Sequence, residues 1–164
     1  MMFAQYNRWA NGRLYDAARH LGEEEFHRNL GAYFRSMNGT LNHILVTDRI
    51  WMTRFTGEGE APDSLDIVLF EDLPELREAR MAEDERIVGF IERLGKDDFD
   101  KSIRYKAYNR TVVFEQPLGA VLGHFFNHQT HHRGQAHCLL TQLGREAPPL
   151  DLVYFQRDSG IGMA

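Results

Sequence analysis

A single cysteine, Cys138, stands in the 164-residue chain. It rules out an intrachain disulfide framework and fits a reducing compartment, hence the cytoplasm. Long apolar runs are missing as well. None approaches the ~20 residues that a helical membrane span needs. No charged segment followed by an apolar run and a small-residue cleavage site opens the chain, so no signal peptide is expected. Positive charge is in deficit: 19 Lys and Arg against 24 Asp and Glu give a net charge of −5 with histidine neutral. The basic residues are scattered and form no stripe. Nucleic acid and anionic membrane surfaces both require clustered cations, so both are set aside as partners. There is no internal repeat and no long linker. Hydrophobic residues at 43% and charged residues at 26% are ordinary for a globular chain, and the length suits a single domain over residues 1–164.

What the chain has in unusual number is histidine. Of eight, five fall between His124 and His137.

Four segments carry apolar residues at helical spacing. The first runs roughly from Phe3 to Leu21, with Gly22 as its stop. The second runs from Ser36 to Thr56, and GEGEAPDS after it reads as a loop. The third runs from Asp72 to Leu94, with Pro74 in its first turn, where a missing N–H does no harm. Its many charges read as a solvated outer face. Between Ser102 and Glu115 the apolar residues alternate instead, which predicts an extended excursion or short hairpin turning around Tyr108 to Thr111. The fourth helix follows, from Pro117 to Leu143, and a last short turn from Leu150 to Arg157 packs onto the rest. The fold class is therefore all-α: a four-helix bundle with long crossover connections and a short extended piece before the last long helix.

At 100° per residue, His132 and His124 lie about 40° to either side of His128 on the fourth helix. His131 falls on the shoulder of that face, and His137 points about 180° away. Cys138 reads as a small packing residue. His128 and His132 form H-x3-H, two imidazoles one turn apart that can share one metal ion. Their bland reading is two histidines satisfied by hydrogen bonds or exposed to water. His43, within the apolar segment LNHILVTDRIW, is the best further candidate ligand, aimed into the bundle. Asp48, about 140° from His43 on its helix, either reaches a histidine or arginine of another helix or forms a buried structural ion pair. The zinc-protease motif H-E-x-x-H is absent: Gln129 follows His128 where that motif has its glutamate base.

LNHILVTDRIW, followed some eighty residues later by HFFNHQTHHRGQ and LLTQLG, resembles the DinB family of small bacterial helical proteins. The opening YNRWANGRLYDA and the closing PPLDLVYFQRD extend the resemblance over nearly the whole chain. It implies a DinB-like four-helix bundle, a homodimer, and one divalent metal ion held by His43, His128 and His132. It also implies kinship with metal-dependent transferases that use low-molecular-weight thiols, and with related isomerases.

Three protein ligands leave a coordination position open, which is the catalytic rather than the structural pattern. Zinc or nickel suits imidazole. An open site can activate water or hold a thiol as thiolate. Thiol transfer needs no carboxylate base at the metal, so Gln129 tilts the reading towards a metal-dependent thiol S-transferase acting on a small-molecule substrate. The alternatives are a metal-dependent hydrolase and a non-enzymatic, stress-related bundle stapled by its metal. His124 is the candidate catalytic base, or else supports a ligand. Tyr6, Trp9 and Trp51 either wall a substrate pocket or pack in the core.

Overall fold

The computed structural model describes residues 1–106 and 111–163. Four long helices make the bundle: α1 (Met2–Ala18), α3 (Met37–Thr56), α4 (Leu73–Glu92) and α5 (Leu118–Gln142). Two short ones, α2 (Glu23–His27) and α6 (Leu152–Ser159), and a 3-10 turn over Lys96–Asp100 complete the helical elements among the described residues. The long helices form a ring in the order α1, α4, α3, α5, each packed on two neighbours. The consecutive helices α1 and α3 therefore stand on a diagonal, and so do α4 and α5, which is why both connections are long.

Local chemistry sets the ends. Ser36 caps α3 by accepting a hydrogen bond from the Gly39 N–H at 3.1 Å, and Gly57, left-handed at φ 73°, closes it. Pro74 lies in the first turn of α4. α5 has no side-chain cap; the Leu118 N–H donates instead to the Lys101 carbonyl at 2.9 Å. The alternating segment forms an antiparallel pair, β1 (Ser102–Lys106) and β2 (Val113–Pro117), with Tyr105 opposite Phe114. The expected turn falls largely on Tyr108, Asn109 and Arg110, which lie outside the described residues.

Three expectations need correction. The first helix ends at Ala18 rather than Leu21, and the acidic stretch after Gly22 turns once more as α2, burying Phe26 against the bundle. The last helix starts two residues later than expected and runs to Ser159. Most consequentially, α4 is not simply solvated on its charged side: Arg80, Glu83 and Asp84 are buried.

Glu83 pairs with Arg86 at 3.0 Å, while Arg80 and Asp84 belong to a polar waist that divides the core. On one side of it Leu14, Phe26, Leu41, Leu45, Leu76 and Leu139 pack together; on the other, Trp51, Met52, Ile87, Val121 and Phe125. Between them Asp48 of α3 pairs with Arg80 of α4 at 2.6 Å, and Arg80 with Asp84 at 3.0 Å. Asn7 and Asn11 of α1 donate to Asp84 at 3.1 and 2.9 Å, and both accept from Arg133 of α5. Two acids and two arginines, spread over three of the four long helices, balance one another in a water-excluded layer.

Candidate metal centre

His43 lies two turns into α3, in the stretch Leu41–Val46, where every residue is buried. Its own side chain is 4% exposed. α5 lies alongside α3 and brings His128 and His132 to the same level. His43 Nε2 is 3.2 Å from His132 Nε2, which is 3.0 Å from His128 Nε2. One nitrogen from each of the three lies within 4.8 Å of the others, so the cluster can hold a metal ion. Tetrahedral bonds of about 2.0–2.1 Å set ligand nitrogens about 3.3 Å apart, close to the two shorter separations.

The proton positions point the same way. His43 Nδ1 lies 2.7 Å from the Leu65 carbonyl, which can only accept. His132 Nδ1 lies 2.8 Å from Gln135 Oε1, while the Gln135 amide nitrogen faces His131 at 3.3 Å. The Leu65 carbonyl therefore puts the hydrogen of His43 on Nδ1 and leaves its Nε2 with a lone pair, and Gln135, with its oxygen towards His132, favours the same tautomer there. Two lone pairs at 3.2 Å repel unless a cation stands between them. The donor set thus fits a divalent ion, and the outer hydrogen bonds are of the kind that orient metal-binding imidazoles.

Burial keeps the three rings neutral. It lowers His43 to about 4, against the opposing pull of the Leu65 carbonyl, with His132 adding to the fall. It lowers His128 to about 3, helped first by His132 and then by His43. His132 is also lowered by burial, with the Gln135 bond opposing. Neutral imidazole is the form that ligates metal.

The histidine face of α5 lies at the edge of its inward face, with His132 alone of these histidines buried. Gln129, Arg133 and Ala136 point to the core, while His128 is half-buried and His124 and His131 are exposed. His124 stays outside the three-nitrogen cluster; its ring centroid is 5.8 Å from that of His128 and 5.4 Å from Trp51. His137 lines a groove on the other side of α5 with Phe3 and Phe126. Cys138 is exposed, which corrects its reading as a packing residue. Tyr6 is buried against Phe155, and Trp51 is buried, with its ring turned to His124. Asp48 meets an arginine, Arg80, and not a histidine.

Gln129 is the informative surprise. Its side chain is fully buried and donates to Asp48 Oδ1 at 2.8 Å. The residue that follows His128 is thereby tied into the charged waist and turned away from the cluster. Several neighbours carried no sequence signal. Phe34 stacks on His43, and Leu65 contributes only its carbonyl. Arg35, Asp66 and His131 line a cavity of about 1060 Å³ that reaches His43 and His132. All but His131 come from irregular segments, where periodicity says nothing. Gln135 lies on the histidine face of α5 and so was within reach of the helical geometry.

A four-helix bundle with a three-histidine cluster at the seam of two helices defines a class of small helical proteins with a candidate metal site. The chain belongs to the DinB family, whose pattern matches residues 1–161. It is 28% identical over 156 residues to Protein DinB of Bacillus subtilis (strain 168), covering 90% of this chain and 87% of that one. The fold is that of a DinB-like protein from Bacillus cereus ATCC 10987, with a TM-score of 0.66 at 19% identity over 90% of this chain and 94% of the other. A DinB-like protein from Bacillus subtilis gives a TM-score of 0.65 at 15% identity over 92% and 99% of the two chains. Among the described residues no helix is long and apolar enough to cross a membrane.

Proposed function

We propose that this protein is a metal-dependent thiol S-transferase of small-molecule electrophiles. The observation that carries the reading is the orientation of Gln129. A zinc protease places its glutamate base one residue after the first histidine of its motif. Here that position is a neutral amide bonded to Asp48 in the core, so the chain sets up no protein base there to activate water. The three imidazoles would hold a divalent ion, zinc or nickel, which would supply the positive charge that favours the thiolate form of a low-molecular-weight thiol. His43, His128 and His132 hold the ion. His124, exposed beside His128, takes the thiol proton. Trp51, turned towards His124, offers an apolar wall to the electrophile. The sulfur forms its bond to the electrophilic carbon as the leaving group departs.

A second reading is metal-dependent hydrolysis. Asp66 favours it: its carboxylate lines the cavity beside His43 and acts electrostatically on that ring. The test is turnover of metal-loaded protein on a panel of electrophiles, with and without thiol. Thiol-dependent consumption that disappears with the metal in His128→Ala, and persists in His137→Ala, is expected. Metal-dependent hydrolysis of esters or amides without thiol dependence would move the assignment to hydrolase. Inactivity in both assays would move it to a non-enzymatic metal-stapled bundle. We place the protein in the cytoplasm because its one cysteine has no intrachain partner.

A homodimer belongs to the same proposal. An apolar groove of about 890 Å³ runs along α5 on the side away from the His43, His128 and His132 cluster, lined by Phe3, Phe99, Gly119, Leu122, Gly123 and Phe126. It is the face we assign to a second copy.

A further inference from the structure

We infer that Phe34 sets the plane of the His43 imidazole, and that Gly39 is what allows it to do so. The inference rests on the metal-centre reading. Directing a ring nitrogen at a point takes two constraints. The Leu65 carbonyl supplies one, by fixing the Nδ1 edge of His43 at 2.7 Å. That bond still lets the ring turn about its own axis. Phe34 supplies the other: its ring lies on the face of His43, centroids 3.7 Å apart and 17° from parallel. The same phenyl ring meets His132 edge-on at 5.6 Å. One side chain therefore braces two of the three histidines, while belonging to neither helix that carries them.

Phe34 reaches that place through a tight backbone path. The Arg35 N–H donates to Ala32 O and the Leu30 N–H to Arg35 O, both at 2.8 Å. Arg35 takes the left-handed conformation at φ 67°, uncommon for a residue with a side chain. Ser36 then turns the chain into α3 and caps it on Gly39. In this arrangement a Cβ built on Gly39 would lie 2.1 Å from the Phe34 carbonyl oxygen and 3.2 Å from its carbonyl carbon. The obstacle is backbone, so it cannot swing aside. Glycine in the first turn of a helix runs against local propensity, and this contact explains it: the absent methyl is the space that seats Phe34 on His43.

The experiment uses the full chain and four variants: Phe34→Tyr, Phe34→Leu, Phe34→Ala and Gly39→Ala. Circular dichroism establishes folding. In metal-free protein, the His43 ring protons report the aromatic face above them by an upfield shift. Cobalt(II) then serves as the metal probe, read by its affinity and its visible ligand-field bands. Wild type and Phe34→Tyr are expected to share the shift, the affinity and the bands. Phe34→Leu and Phe34→Ala are expected to lose the shift and to bind cobalt about tenfold or more weakly, the effect known for groups that orient metal-bound histidines. Gly39→Ala is expected to behave like Phe34→Ala although Phe34 is present. Folded Phe34→Leu with wild-type affinity and bands would overturn the role of Phe34. Folded Gly39→Ala with an unchanged His43 shift would overturn the role of Gly39. Should Gly39→Ala not fold, Phe34→Leu against Phe34→Tyr decides. If wild type takes up no cobalt, the metal reading fails, and the His43 shift in metal-free Gly39→Ala, which keeps the phenyl ring, still decides whether Gly39 seats Phe34 on His43.

Discussion

Replacing Asp48 by alanine probes the polar waist that carries Gln129 and thereby the turn of α5 bearing His128. The Asp48 side chain is 1% exposed and accepts from Arg80 at 2.6 Å and from Gln129 at 2.8 Å. Burial pushes its carboxyl up to about 6, against the pull of Arg80 and of the Gln129 amide. Without Asp48 the layer keeps two arginines and one acid, Asp84. Removing one partner of a buried pair costs about 3–5 kcal/mol, because the remaining charge is uncompensated. The stranded Gln129 donor adds to this, within the ~1–3 kcal/mol of an unmade buried hydrogen bond. The two losses share atoms and do not sum, so about 4 kcal/mol is the working figure. For a chain of this length that is a fall of roughly 8–16 °C in Tm, at about 2–4 °C per kcal/mol. Urea unfolding followed by circular dichroism measures it, with Glu24→Ala as the control. Glu24 makes an exposed i,i+4 pair with Arg28, of the kind that contributes about 0.3–0.5 kcal/mol. The double variant Asp48→Leu with Arg80→Met removes one charge of each sign and is expected to cost less than Asp48→Ala alone. A loss below about 1 kcal/mol in Asp48→Ala, against the 3–5 kcal/mol expected of a broken buried pair, would refute the reasoning. So would a double variant less stable than the single.

Two further outcomes follow from the same geometry. Burial lowers His43 to about 4 and His128 to about 3, so protons compete weakly for the lone pairs. Bound metal is expected to persist as pH falls through 6.5, where a free histidine would protonate, and to be released on approach to pH 4, as measured by metal retained after gel filtration. Sedimentation at micromolar concentration is expected to show a dimer, and a polar substitution in the apolar groove, Phe126→Glu, to shift it to monomer; a wild-type monomer would remove the dimer from the account.

The bundle was legible in the sequence because burial imposes helical spacing on apolar residues. The spacing of Leu41, Ile44, Leu45 and Met52 identified α3, and Pro74 marked the start of α4. The H-x3-H pair and His43 were legible for the same reason, since helix geometry fixes where side chains one turn apart project. The waist was not. Arg80, Glu83 and Asp84 look like surface charges until the partners they find on other helices are known: Asp48 and Arg49 of α3, and Asn7 and Asn11 of α1. The burial of Gln129 was not legible because the buried stripe of α5 runs through Phe125, Gln129, Arg133 and Ala136, with His132 at its edge. One consequence is chemical: glutamate at position 129 would face Asp48 in the core rather than the metal. Phe34, Leu65 and Asp66 act through irregular backbone, whose course depends on tertiary contacts.

The central claim is that three histidines hold a metal and leave one position for substrate. X-ray absorption of the purified, metal-loaded protein, with metal content measured in parallel, tests it most directly. The account predicts one divalent ion per chain, three imidazole nitrogens around it, and a further ligand that a low-molecular-weight thiol displaces to give a metal–sulfur distance of about 2.3 Å. A fully loaded site with four protein ligands and no change on adding thiol would contradict it, as would a protein that binds no divalent metal while all three histidines are intact.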